Sequence, residues 1–135
     1  MSYTTDIRAA VRTRLLAIPD LPAAKAWEGR AFSPVVGTPY MRESLLPAGR
    51  TAASIGSVTV GHIDLVQIDL FYPFGTELNA MESLADALAD THFRPGTPLA
   101  YGPSKAVVMK AERNRPLYSA EWAQWPVSLT IEGRS

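Results

Sequence analysis

The sequence predicts an α+β fold, a mainly antiparallel β-sheet with two helices packed on one of its faces. Three observations point there. Apolar residues recur at helical spacing twice, as Ile7, Val11, Leu15 and Ile18 and again as Leu78, Met81, Leu84, Ala85 and Leu88. Clean alternation appears near the end, where Trp125, Val127, Leu129 and Ile131 face in and Gln124, Ser128, Thr130 and Glu132 face out. The order of segments is helix, strands, helix, strands, without an internal repeat or low-complexity tract.

The first helix is expected over Thr5–Ile18, capped by Thr4 or Thr5, with Asp6 favourable in its first turn and Pro19 stopping it. Arg8, Arg12 and Arg14 fall off its apolar stripe and read as a solvated face. From Pro19 to Pro39 the chain is rich in Pro and Gly; "AKAWEG" suggests a short strand and "FSPVVGTPY" an irregular connection. "YMRESLL" alternates as a strand ending at Pro47. "PAGRTAASIGSV" has no period and reads as a long flexible loop or the tip of a hairpin.

A long strand follows, with Val66, Ile68, Leu70 and Tyr72 on its core face and Gln67, Asp69 and Phe71 on the other. The adjacent Leu65 and Val66 mark either a bulge or a strand covered on both sides. Pro73 ends it, and a helix from Thr76 or Glu77 to His92 packs back on the even-numbered face, with Thr76 as its cap. "FRPGTPLAYGP" reads as a turn-rich connector. "SKAVVMKAERN" reads as a strand with Val107, Met109 and Ala111 on one face and Lys110 and Glu112 on the other. Pro126 lacks an N–H, which places the last strand at an edge or gives it a bulge.

The 135 residues suffice for one domain, assigned to 1–135. With 47% hydrophobic and 19% charged residues the composition is that of a folded chain. Thirteen basic residues balance thirteen acidic ones, so the basic excess of a phosphate-gripping nucleic-acid binder is absent. The absence of cysteine removes disulfides, thiol nucleophiles and Cys-based metal sites, and it suits the reducing interior of a cell. The N-terminus mixes acid and base without an apolar block, unlike a signal peptide, and no stretch reaches the ~18 apolar residues of a membrane helix. Ile-Glu-Gly-Arg near the end matches a common engineered protease site, so 133–135 reads as a tag or flexible end; Ile131 continues the strand pattern.

No catalytic constellation emerges. "YPFGTELN" has a single glycine and no phosphate-binding lysine, so it reads as a plain turn. His62 and Asp64 form H-x-D on one strand face, a thin basis for a small ligand-binding domain or hydrolase, and two ligands are too few for zinc. His92 in the last turn of its helix complements the dipole. Neither a cofactor nor a metal site is expected. More informative are large side chains outside the core stripes: Phe71 and Trp122 oppose the core parity of their strands, and Phe74, Tyr101 and Tyr118 lie in or beside connectors. Those left exposed would suit subunit contact. The expected interface set is Arg42, Arg50, Ile55, Gln67, Asp69, Phe71, Arg113, Arg115 and Trp122, with Arg42, Arg113 and Arg115 at its rim.

"FSPVVGTPYMR", "GHIDLVQIDLFYPFG", "ESLADALADTHF" and the final "WPVSLTI" together resemble the bacteriophage tail-terminator, or minor tail protein U-like, family over Thr5–Ile131. The resemblance implies a structural virion protein of a tailed phage or prophage. Such a protein caps the tail tube as a hexameric ring and mediates head–tail joining. The implied partners are other copies of itself, the tail tube protein and a head-completion or stopper protein, with no specific nucleic acid and no membrane. It would act in the virion tail, after assembly in the bacterial cytoplasm. Another neck or tail-completion protein is the nearest alternative. The family carries no catalytic residues to transfer, and the Pro47–Gly61 segment is the first choice for contact with a neighbour or the tube.

Overall fold

The computed structural model describes residues 2–52, 60–75 and 78–134. Helix α1 spans Tyr3–Leu16 and begins before Thr5, because Ser2 is the cap and its Oγ accepts from the Thr5 N–H at 3.1 Å. Ile7, Ala10, Val11 and Leu15 are its buried stripe. Among the described residues seven strands follow: β1 (Ala24–Trp27), β2 (Tyr40–Ala52), β3 (Val60–Pro73), β4 (Pro98–Tyr101), β5 (Ser104–Arg113), β6 (Leu117–Tyr118) and β7 (Trp122–Arg134). They form one sheet in the order β1-β2-β3-β7-β5-β4, with β6 on β7. Every pairing is antiparallel except that of β1 with β2.

Between β3 and β4 lies α2 (Asn79–Ala87), continued by a π-helical turn over Leu88–His92. The Phe93 N–H bonds the Leu88 carbonyl at 2.9 Å, and Phe93 is completely buried. The wider turn thus rotates one more aromatic ring into the core. Leu78 stands at the start of α2 without a side-chain cap; Thr76, expected as the cap, lies outside the described residues. Both helices pack on one face, where their stripes merge with Val66, Ile68, Leu70, Val127, Leu129 and Ile131 in a single core.

Several expectations are corrected. β2 does not stop at Pro47: a bulge between Pro47 and Gly49 absorbs the missing N–H and pairing resumes to Ala52. Residues 47–52 of the aperiodic segment therefore belong to β2 and pair with β3; the remainder, 53–58, lies outside the described residues. In β5 a bulge between Val108 and Lys110 inverts the expected parity, so Val108 is buried and Met109 is half exposed. The connector after α2 contains β4.

Strand β7 is central. Pro126 is tolerated because its carbonyl faces Asn114, where the neighbouring chain leaves β5 and has not yet begun β6. Its ring nitrogen points into that same break, so no ladder bond is lost. The C-terminal segment continues β7 through Arg134, with Gly133 buried and paired to His62 and Ala106.

The helix arginines are clasps, not a solvated face. Arg8 pairs with Glu28 at 2.7 Å. Arg12 pairs with buried Glu43 at 2.6 Å and stacks over Trp27. Arg14 donates to the His92 carbonyl at the end of the π-helical turn. Charged heads on the rim of the apolar stripe tie α1 to β1, β2 and the second helix.

Candidate assembly surface

The H-x-D pair of β3 lies on the core face, under the first turn of α1. The Tyr3 ring stacks on His62 at 3.8 Å between centroids and 13° between planes. Gly133 makes this seat: a Cβ there would fall 2.7 Å from the Ala106 Cβ and 2.8 Å from the Lys105 carbonyl, and closer still to the Tyr3 hydroxyl. Asp64 is 3% exposed. Its Oδ2 and the Tyr3 hydroxyl close no hydrogen bond of ordinary geometry, although the groups are near enough to act on each other's charge.

Burial raises the Asp64 carboxyl above its ordinary range, while His62 and Tyr3 pull it back. Burial and the Asp64 charge also raise the Tyr3 phenol. Next to this seat Ser104 donates to Asp6 at 2.7 Å. Among the described residues no group of three or more His, Cys, Asp or Glu gathers as a metal site. The arrangement anchors a helix terminus.

Among the described residues the other face of the sheet carries no helix, and five of the nine expected interface residues meet there. Arg42 of β2 holds Asp69 of β3 through Nη2 and Nε at 3.0 and 3.2 Å, and Gln67 donates to the second Asp69 oxygen at 2.9 Å. The Arg42 guanidinium also lies 5.1 Å from the Phe71 ring centre. Phe71 stacks on Tyr40 at 4.4 Å and 4°, and Trp122 meets Tyr40 edge-on at 5.1 Å. Cross-strand register does this: Tyr40 pairs with Phe71, Arg42 with Asp69 and Pro73 with Trp122. Phe32, from the irregular connection, closes over Tyr40 at 5.1 Å.

Asp69 and Phe71 are buried by these neighbours. The Arg42 side chain, 48% exposed, is what this cluster offers outward. Arg113 lies elsewhere, reaching Asp86 and Asp90 of the second helical segment at 3.1 and 2.7 Å. Arg115 is exposed between β5 and β6. Arg50 belongs to β2 by its backbone; its side chain, and Ile55 altogether, lie outside the described residues. Phe32 and Tyr40 were not legible as members, because their place depends on register and on a loop without periodicity.

Beside β1 this face deepens into a groove of about 350 Å³, lined among others by Ala26, Phe32, Tyr40, Arg42 and Ser44. At the far side of the sheet Phe74 and Tyr118 are 51% and 57% exposed and pack on each other at 5.7 Å. Leu46, Ile63 and Leu65 form a separate exposed apolar stripe toward the hairpin.

The family described as phage tail terminator protein matches residues 6–131. A solved chain whose name describes no function superposes with a TM-score of 0.76 at 24% identity, over 98% of this chain and 96% of that one. That likeness establishes the shared fold. No curated protein matches the chain.

Proposed function

The chain belongs to the phage tail terminator family, and on that premise we propose that it caps the finished tail tube as a closed hexameric ring and presents a surface for head joining. It is a structural protein of a phage tail, in a family that works by shape and not by catalysis. The observation that carries the reading is the family match over residues 6–131, which takes in all but the first residues of α1 and the last of β7.

A ring of one chain needs heterologous contacts, one surface of each copy meeting a different surface of the next. On the helix-free face Arg42, held in place by Asp69 and Phe71, supplies a preorganised outward contact of a type such interfaces favour. The near-neutral net charge leaves little repulsion between copies. The β2–β3 hairpin is the element we assign to the tube. The proposed partners are thus further copies of the chain, the tail tube protein and a head-completion or stopper protein, and the site of action is the virion tail.

Negative-stain imaging of the purified protein with tail tubes tests this. Six-fold rings on tube ends are expected, together with overlong or headless tails when the gene is deleted. Tubes that end normally without the protein would overturn the proposal. A neighbouring reading, another neck or completion protein, would place the ring between head and tube without control of tube length. For the minor reading through His62 and Asp64, His62→Ala is expected to leave assembly intact.

A further inference from the structure

We propose that neighbouring copies join by seating the Phe74–Tyr118 pair of one copy in the groove beside β1 of the next, a contact that rests on the ring reading above. The pair is exposed, yet it is held firmly. Gly75, at φ 94°, turns the chain sharply after Phe74. The Phe74 N–H bonds the Glu121 carbonyl at 3.0 Å. Ser119 and Trp122 lock the turn that carries Tyr118, with Ser119 N–H on the Trp122 carbonyl at 2.8 Å and Trp122 N–H on Ser119 Oγ at 3.2 Å. Two fixed aromatic rings lose little rotamer freedom on docking.

The groove suits them. Its lining includes half-buried Phe32 and buried Tyr40, and at about 350 Å³ it has room for an aromatic ring. Arg42 and Arg30 line it; Arg30 is exposed and forms no ion pair among the described residues. Guanidinium groups beside aromatic rings favour further aromatic insertion. Growth by strand addition is disfavoured at both sheet edges, since β1 carries Lys25 and β4 begins with Pro98.

We assign the groove to a second copy, whose aromatic pair stands at a matching height. Tyr118 pairs with Ala123, which pairs with Tyr72, while Tyr40 pairs with Phe71. The aromatic pair and the groove therefore stand within about one residue of the same height along the strands. At that height the sheet reads β1, β2, β3, β7, β6, so the two surfaces flank it roughly 19 Å apart at ~4.8 Å per strand. A contact between opposite flanks at equal height repeats with almost no climb along the strand direction. Such repetition closes into a ring when the rotation from copy to copy divides a full turn, as the ring reading above requires.

The chain contains no cysteine, so thiols can be introduced cleanly. In the full chain carrying both Ser44→Cys and Tyr118→Cys, a short bis-maleimide should produce a ladder of multimers ending at the closed ring. Each single variant should remain uncrosslinked. Independently, Phe74→Asp/Tyr118→Asp and Ser44→Trp should each lose the ring by light scattering, and their equimolar mixture should form dimers and nothing larger, since each retains one intact surface. Circular dichroism of every variant checks folding. No ladder, dimers from a single-cysteine variant, or native ring mass in both blocking variants overturns the contact while the ring reading stands. Tails that terminate without any ring of this chain overturn the ring reading itself.

Discussion

Arg12, on the outer edge of α1, closes an ion pair of 2.6 Å on Glu43, a β2 residue that is 1% exposed and points into the helix-covered side of the sheet. A carboxylate this deeply buried is tolerable only with its partner in place. The guanidinium also bonds the Glu28 carbonyl at 3.1 Å and lies over Trp27, so one side chain ties α1 to β1, β2 and the turn after β1.

Removing that partner has a defined consequence. Arg12→Ala should lower unfolding free energy by about 3–5 kcal/mol in denaturant titration, because Glu43 is left buried without its partner. Adding Glu43→Gln should recover a large part of the loss. An Arg12→Ala loss below about 1 kcal/mol, the scale of an exposed pair, would show that Glu43 is solvated after all.

Gly133 makes a second prediction. Gly133→Ala sets a Cβ 2.8 Å from the Lys105 carbonyl, and backbone cannot swing aside as a side-chain tip can. A loss of about 1–3 kcal/mol or more is expected. Because the backbone clash persists, Tyr3→Phe should not rescue it. Full rescue would mean that only the Tyr3 hydroxyl stood in the way.

The Asp64 carboxyl gives a pH dependence. Its pKa is raised from the ordinary 3.8 by burial, so in the folded protein ionisation costs stability at neutral pH. The contribution of this site therefore becomes more favourable as pH falls through the raised pKa toward the ordinary value. Asp64→Asn, which cannot ionise, should be more stable than the native chain at pH 7, and the difference should shrink toward pH 4. A constant difference across that range would assign the effect to packing, not to charge.

The C-terminal Ile-Glu-Gly-Arg offers a simple check of β7. Residues Ile131–Arg134 pair with β3 on one side and β5 on the other. A protease that requires this motif in extended, accessible form should leave the native chain intact for hours and cut it promptly in denaturant. Rapid cleavage under native conditions would show that the end of β7 frays.

Local pattern alone determined a good deal of this molecule. The stripe from Ile7 to Leu15 and the alternation from Val127 to Ile131 are buried as their periods require, with Trp125 partly buried before them, since a residue's face follows from its neighbours in sequence. The tail-terminator kinship was legible in the same patterns, in the order of aromatic, Pro-Gly and Ala-Asp segments. Tertiary structure alone decided everything that depends on pairing. One extra residue at the Val108 bulge turned Met109 outward, and Pro126 became acceptable in a central strand because β5 and β6 part beside it. Arg12 became a clasp because Glu43 arrives from a strand distant in sequence. Tyr40, Arg42, Asp69, Phe71 and Trp122 form one surface only once β2, β3 and β7 are set in register. Periodicity encodes which side of an element meets the core; it carries no information about which distant element lies beside it, and it is that neighbour which makes a buried charge, a bulge or a surface cluster.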